Sequence, residues 1–492
     1  MAYGHASTDS FVLQLKLNTT QADAEYLDKC MESGWRIYNN MVRWCRRQMA
    51  SLRQNPEYRE LLKKRKSAKP KERKAISAQL SEIVTSYGLT QSGLESFVKL
   101  QQHRFSRYIH SQVAQKIADS VWRGVKAVLY GDGKSLHFRR LEDFCSLEGK
   151  QNTTGICLLE DQVCYIKQTI PVKRHKQDGS ASWLYEEEAL KHRVKYCRLI
   201  RKPMGQRYHY YVQLILEGTS LLRHEKGKGR SGLDIGTSTL AVANETSCIL
   251  AVLGDSVAEI EREQRQILRK MDRSRRAANP DNYHPDGTVK RGRKKWHNSN
   301  NYRRLRMRYK VLCAKRAATL KQWQYEMANK VISQCDTLYV EKMNFKGLQR
   351  RSKETKLRKD GRFARKKRFG RSIQSRAPAQ FCTILRRKLE TAGGTYHEVN
   401  TGIFRASQYN HETDTYHKKK LSKRHNVILG SWVQRDLYSA FLLMNSDDSL
   451  EHTDRNRCNE TFEQFMHAHN ACITDIRNSN TKNPRSFGFR VA

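Results

Sequence analysis

The chain has 492 residues, and its 93 Lys and Arg against 49 Asp and Glu give a formal net charge of +44 at pH 7. A hydrophobic content of 38% is enough for packed cores, which excludes a disordered polyelectrolyte, and the length suggests roughly three domains. No apolar stretch approaches the roughly 18 residues of a membrane span, and no helical pattern sets a Lys/Arg face against Trp and Leu, so the matching polyanion is nucleic acid rather than a membrane.

Phe11, Leu13, Leu15 and Leu17 alternate with Val12, Gln14 and Lys16, which predicts a half-buried strand. Thr20 to Asp23 reads as a helix-start box, and Leu27, Met31, Trp35, Tyr38, Val42 and Cys45 follow at helical spacing. Helical patterning continues to about Val128. From about Asn152 the period returns to two, through Val163-Cys164-Tyr165-Ile166 and Tyr208 to Ile215. These segments predict a strand domain split by a helical insertion. The tyrosines at 208–211 suit sheet packing better than base stacking.

The charge is concentrated. Residues 63–74 carry eight Lys/Arg against one acid, 269–310 carry fifteen against three, and 350–371 carry twelve against two. One such run is ordinarily a solvated helix face, but three in one chain repel each other and call for a neutralising partner. Candidate nucleic-acid contacts drawn from them are Lys63, Lys64, Arg65, Arg273, Arg275, Arg276, Arg350, Arg351, Lys366, Lys367 and Arg368. The twelve cysteines, from Cys30 to Cys472, include no C-x-x-C pair, and Met1 to Ser10 is polar, as expected of a reduced, cytosolic protein with packed thiols.

After a polar linker, Gly227 to Ser231, a second domain begins. Leu233 to Asn244 reads as strand, turn and strand, Cys248 to Leu253 as a third strand, and Val257 to Met271 as a helix. A basic loop over 278–300 precedes a long helix through Leu312, Leu320, Trp323, Met327 and Val331. Leu338 to Glu341 is the fourth strand, Ala377 to Glu390 a helix, Tyr396 to Val399 the fifth strand, and Arg435 to Met444 a closing helix. That order is the order of the RNase H-like α/β fold. The residues after Asp447 are expected to form a peripheral polar tail, with one short helical stretch near Phe462 and Phe465.

In that order Asp234 lies on the first strand, Glu341 ends the fourth, and Asp436 opens the closing helix, so the three acids converge at one sheet edge. Each alone has an ordinary role: a turn partner, a surface acid, or a charge favoured at a helix N-terminus. Together, bare carboxylates about 5 Å apart would repel by roughly 3 kcal/mol per pair at an effective dielectric of about 20. Such a site takes up protons or binds cations. Two bound Mg²⁺ or Mn²⁺ ions at these acids would support in-line phosphodiester hydrolysis without a protein nucleophile. The run Asp234 to Thr239 also resembles the first phosphate loop of the actin and sugar-kinase ATPases. That family needs a second Asp-x-Gly loop and a Gly-rich adenosine loop, and neither follows Asp234.

The motifs Gly232-Leu-Asp234-Ile-Gly236, Tyr339-Val-Glu341-Lys-Met-Asn344-Phe-Lys346-Gly347-Leu348 and Gln434-Arg-Asp436-Leu-Tyr-Ser-Ala440 resemble those of the TnpB family. These are transposon-encoded RNA-guided nucleases related to type V CRISPR effectors. Ala406 to His411 followed by Lys418 to Arg424 resembles one branch of it. The resemblance covers about residues 10–445. It implies a wedge strand at 1–25, a helical recognition domain at 26–150, wedge strands at 151–228, and a RuvC-like nuclease domain at 229–446. A nucleic-acid-contacting insertion is expected near 401–431, and the tail is 447–492.

The resemblance implies an RNA-guided DNA endonuclease with Asp234, Glu341 and Asp436 as catalytic metal ligands. Its partners would be a noncoding guide RNA and double-stranded target DNA with a short adjacent motif, in a monomeric, cytoplasmic, nucleoid-associated bacterial ribonucleoprotein. Many relatives carry paired C-x-x-C motifs for zinc between the second and third acids. Only Cys382 lies there in this chain, so no structural zinc is expected, although His411, His417 and His425 stand in the same segment. An RNA-guided repressor without cleavage, or an RNA-binding protein with a structural RuvC domain, are the alternatives.

Overall fold

A computed structural model describes residues 9–205, 207–219, 225–350, 357, 360–361, 369–420, 422–479 and 485–489. The chain divides into two compact units, Met1–Leu221 and Leu222–Ala492, both of mixed α/β content.

The first unit opens with strand β1 (Ser10–Leu17) and five helices, α1 (Gln21–Gln54), α2 (Pro56–Ser67), α3 (Pro70–Ser86), α4 (Gln91–Arg104) and α5 (Ser111–Tyr130). Strands β2 (Ser146–Glu148), β3 (Ile156–Leu159), β4 (Gln162–Tyr165) and β5 (Gln168–Lys173) follow, then α6 (Ala181–Leu190), β6 (Val194–Met204) and β7 (Arg207–Glu217). All seven strands form one sheet in the order β2-β6-β7-β1-β5-β4-β3, so β1 sits in the middle, beside partners that follow the helices. The period of two turns Phe11, Leu13, Leu15 and Leu17 into the core that they share with Leu27, Met31 and Val42 of α1. Helix α1 starts where Thr20 and Asp23 cap each other: the Asp23 amide donates to Thr20 Oγ1 at 3.2 Å, and the Thr20 amide donates to Asp23 Oδ2 at 2.9 Å. Of the strand tyrosines, Tyr210 is buried and its hydroxyl donates to the Ala24 carbonyl at 3.1 Å. Tyr208 and Tyr211 lie under Arg201 and Lys202, at 4.4 and 4.7 Å.

The second unit is built on β8 (Arg230–Ile235), β9 (Thr239–Asn244) and β10 (Cys248–Val252), followed by α7 (Ala258–Ala277), α8 (Asn300–Ile332), β11 (Thr337–Glu341), α9 (Phe345–Gln349), α10 (Phe369–Arg376), α11 (Pro378–Thr391) and β12 (Thr395–Val399). Its sheet order is β10-β9-β8-β11-β12, with β11 parallel to both neighbours and β9 antiparallel to β8 and β10. Next come α12 (Thr401–Phe404), two short hairpins, β13 (Tyr409–Asn410) with β14 (Thr415–Tyr416) and β15 (His425–Ile428) with β16 (Ser431–Gln434), and then α13 (Arg435–Met444) and α14 (Arg455–Asn478).

Alternation divides the sheet residues between two cores. Leu233, Ile235, Leu338 and Val340 pack with Val331 and Ile332 of α8 and with Phe381 and Leu385 of α11. Tyr339, Ala241 and Ala243 face the other way, toward α13. Gly232 and Asp234 on β8 and Glu341 on β11 share that second face by the same period.

The expectation of a peripheral polar tail over 447–492 does not hold for its middle. Helix α14 has 24 residues and buries Cys458, Phe462, Phe465, Ala468, His469 and Ile473, with Phe465 stacked on Phe441 at 4.5 Å. Helix α13, lying between the sheet and α14, is therefore buried nearly all round, which is why it is apolar on every face. Among the described residues no helix is long and apolar enough to cross a membrane, and all twelve cysteines are free thiols.

Candidate active site

The β8–β11 ladder is parallel and pairs Leu233 with Val340 at its end, so Asp234 and Glu341 are the next residues on two adjacent strands. Carboxyl ends of strands are where open α/β sheets place their ligands. Asp436 is the second residue of α13, whose N-terminus is capped by Gln434, the side-chain oxygen accepting from the Leu437 amide at 2.7 Å. Gly232, two residues before Asp234, brings β8 against the α13 backbone. A Cβ there would stand 1.9 Å from the Ala440 carbonyl oxygen.

All three acids keep part of their surface open to solvent, yet protein crowds them. Burial pushes the Asp234 carboxyl well above the usual range, and the charges of Glu341 and Asp436 push it further, against the pull of Arg435. Burial lifts Glu341 to about 7. Burial also raises Asp436, opposed by the Arg424 charge, by the neighbouring Gln434 side chain and by Arg435. Asp234 is thus the acid on which the charges of both others act. The turn after Asp234 closes by its own backbone, the Gly236 amide donating to the Thr239 carbonyl at 2.9 Å. Asp234 is therefore not spent as a turn partner.

A buried arginine borders the acids. Arg435 is 9% exposed and donates to the carbonyls of Lys420 and Lys423 at 3.3 and 3.4 Å, while its amide donates to the Arg424 carbonyl at 3.0 Å. These bonds tie Lys420, Lys423 and Arg424 to the start of α13, and the Arg424 charge acts on Asp436.

Oxygen-only carboxylate donors that repel each other and keep a solvent-facing edge fit a hard, partly hydrated divalent cation such as Mg²⁺ or Mn²⁺. Among the described residues no group of three His, Cys, Asp or Glu stands within metal-binding reach, so the three acids are not preassembled as a closed ligand set. His411 is fully buried and bonds through Nδ1 to the Tyr438 hydroxyl at 2.7 Å, and burial lowers it to about 4, so it is a neutral core residue.

The candidate nucleic-acid contacts fall into different settings. Lys63, Lys64 and Arg65 lie on α2. Lys64 pairs with Glu60 at 2.7 Å, and Arg65 lines a groove of about 360 Å³ with Leu62, Lys66 and Arg73. Arg273 lines a larger groove on α7. Arg275 covers the Trp296 ring at 3.7 Å, and Arg276 pairs with Asp272 at 2.9 Å, so these two are committed within the chain. Arg350 is exposed just past α9, whereas Arg351, Lys366, Lys367 and Arg368 lie outside the described residues.

Sequence reasoning missed three side chains that brace the site. His469 of α14 accepts through Nε2 from the Gln434 amide at 3.0 Å, holding the cap of α13. Ser372 of α10 donates to the Thr237 carbonyl at 2.8 Å, in the turn after Asp234. Arg376 donates to the Leu253 and Gly254 carbonyls at 2.6 and 2.8 Å. Each sits in a polar stretch without a motif, so nothing local marked it.

No protein-family model and no curated protein matches the chain. Among solved structures, a chain of a cryo-EM Cas12f1–sgRNA–target DNA complex is similar with 11% identity and a TM-score of 0.45, over 89% of this chain and 99% of that one. A chain of a CRISPR-Cas12f ternary complex has 14% identity and a TM-score of 0.27, over 87% of this chain and 82% of that one.

Proposed function

We propose that this chain is an RNA-guided DNA endonuclease of the kind its motifs resemble, the TnpB proteins and type V CRISPR effectors. What supports the reading is the placement of Asp234 and Glu341 at the ends of adjacent strands and of Asp436 in the first turn of the helix packed on them, each crowded by protein and Asp234 repelled by both others. The sheet order of the second unit, with its closing helix, supports an RNase H-like, RuvC-like domain. The sheet of the first unit, interrupted by five helices, supports a wedge domain carrying a recognition insertion. A charge of +44 supports nucleic-acid partners, which on this reading are guide RNA and target DNA.

Asp234, Glu341 and Asp436 would hold Mg²⁺ or Mn²⁺, which when bound supplies an activated water and steadies the charge of an in-line phosphodiester displacement. The chain's own contribution is positioning. The close approach of Gly232 to Ala440 fixes α13 on β8, the Gln434 cap fixes the first turn that carries Asp436, and Arg435 anchors the neighbouring basic segment. The Arg424 and Arg435 charges near the acids favour approach of a phosphate.

The test is cleavage of duplex DNA by the purified chain with its co-purifying RNA, the guide being reprogrammed once that RNA has been sequenced. The expected result is guide-dependent cutting with Mg²⁺ or Mn²⁺ that stops in EDTA. Guided binding without cutting under either metal would make the chain a repressor instead.

A further inference from the structure

Helices α7 and α8 with the loop between them form an arm packed through its own apolar seam. Ile260, Ile267 and Met271 of α7 meet Leu312 of α8, with Tyr302, Leu305 and Tyr309 packed against them, apart from the two cores of the sheet. The loop end is tied down. Asn279 donates to the carbonyls of Arg275 and His297 at 2.8 and 2.9 Å and accepts from the His297 amide at 2.7 Å, beneath the Arg275–Trp296 stack. Along the arm runs an open groove of about 720 Å³, between Lys270, Arg273 and Ala277 of α7 and Arg304, Leu305 and Arg308 of α8.

Arg308 is neutralised by Glu263 at 2.6 Å, and Arg304 reaches only the neutral Asn301 side chain at 3.2 Å. Lys270 and Arg273 have no carboxylate partner among the described residues, and no acid lines the groove. Three exposed cations therefore face one cleft on a rigid frame; Asp272, beside Lys270 and Arg273 in an adjoining groove, is paired with Arg276.

We propose that this groove seats one backbone strand of a double-stranded nucleic acid. Guanidinium forks at Arg273 and Arg304 suit phosphate oxygens, and the small Ala277 leaves room for close approach. The lining contains no aromatic ring, whereas sites for single strands interleave cations with rings on which bases stack. Backbone contact without base readout makes this seat indifferent to sequence. The inference extends the nucleic-acid reading above but does not depend on cleavage or on a guide.

The test compares the full chain with the triple variant Lys270→Gln/Arg273→Gln/Arg304→Gln. Probes are a duplex DNA, an RNA–DNA hybrid of the same sequence and a single-stranded RNA, titrated in EDTA over a range of salt. For the two duplex probes the slope of log K against log salt should become shallower by about 2 to 3, at roughly 0.9 for each phosphate no longer neutralised. The single-strand slope should stay the same. The variant Lys270→Arg/Arg273→Lys/Arg304→Lys, which keeps the charge, should restore most of the slope. An unchanged duplex slope in a triple variant with wild-type thermal unfolding would overturn the proposal. So would a loss confined to single-stranded RNA.

Discussion

Gly232 lies directly against Ala440: a methyl group at 232 would meet the Ala440 carbonyl oxygen at 1.9 Å and the Met444 amide nitrogen at 2.5 Å. Both atoms belong to the backbone of a buried helix, so no side chain can swing away. Gly232→Ala should force α13 from β8 and destabilise the chain by about 1–3 kcal/mol or more, typical of overpacking. Because the same displacement moves Asp436 from Asp234, cleavage should fall further than stability alone explains. Urea unfolding and single-turnover cleavage, measured on the same preparation, check both effects.

Asp234→Ala, Glu341→Gln and Asp436→Asn should each abolish cleavage while leaving guided DNA binding within a few-fold of wild type. Affinity is set by Lys/Arg contacts and base pairing, not by these acids. Cutting by any one variant at near the wild-type rate removes that residue from the proposed metal site.

Without divalent metal, stability should depend on pH through the same acids. The folded chain holds the Glu341 proton more tightly than the unfolded chain, with a pKa of about 7 against an ordinary 4.5. The associated stability is full below about pH 4.5 and is lost as pH rises through about 7, and Asp234 acts in the same direction. In EDTA, Glu341→Gln should therefore give a flatter curve of urea midpoint against pH and a higher midpoint above pH 7. Superimposable curves would contradict the burial of this carboxyl.

Much of this architecture is legible in the residues. The Phe11–Leu17 alternation and the Thr20–Asp23 box each rest on a local period or bond, so strand and helix start are recognisable without tertiary context. Asp234, Glu341 and Asp436 stand out because acids beside apolar runs are conspicuous in so basic a chain. Helix α14 is hidden for the opposite reason. Its buried Cys458, Phe462, Phe465 and Ile473 are diluted by polar residues on its outer face, and only the partner helix α13 shows how many of them it covers. The strands of the first insertion hairpin are two residues long and are positioned from outside, by Arg455 donating to the carbonyls of His411 and Glu412 at 2.9 and 2.8 Å.

Phe465→Ala should show that α14 belongs to the core. The ring is fully buried and lies against Phe441, so its removal should cost about 3–5 kcal/mol. A loss below about 1 kcal/mol, small for an emptied core site, would return this segment to the periphery.

Chelation should leave the fold untouched. Aromatic rings surround His411, with Phe462 at 5.0 Å and Tyr438 and Phe441 at 5.8 Å, so packing rather than a metal holds this part of the insertion. Elemental analysis should find less than stoichiometric zinc, and dialysis against a chelator should not shift the melting temperature. One tightly held zinc per chain whose removal unfolds the protein would overturn this account.

The central place of β1 shapes how the chain is made. Leu15 pairs with Val212, so the edge of β1 that takes β7 waits for a partner translated roughly 200 residues later. At about 5–20 residues per second that is some 10–40 s. Throughout that interval the β1 edge that takes β7 presents unpaired backbone N–H and C=O groups, which helices can cover but cannot pair. Helices α1 to α5 can form as they emerge, but the sheet closes only at the end of β7. Slower elongation before residue 217 lengthens this exposed interval, so yield of soluble protein should depend on translation rate and chaperone supply more than on final stability.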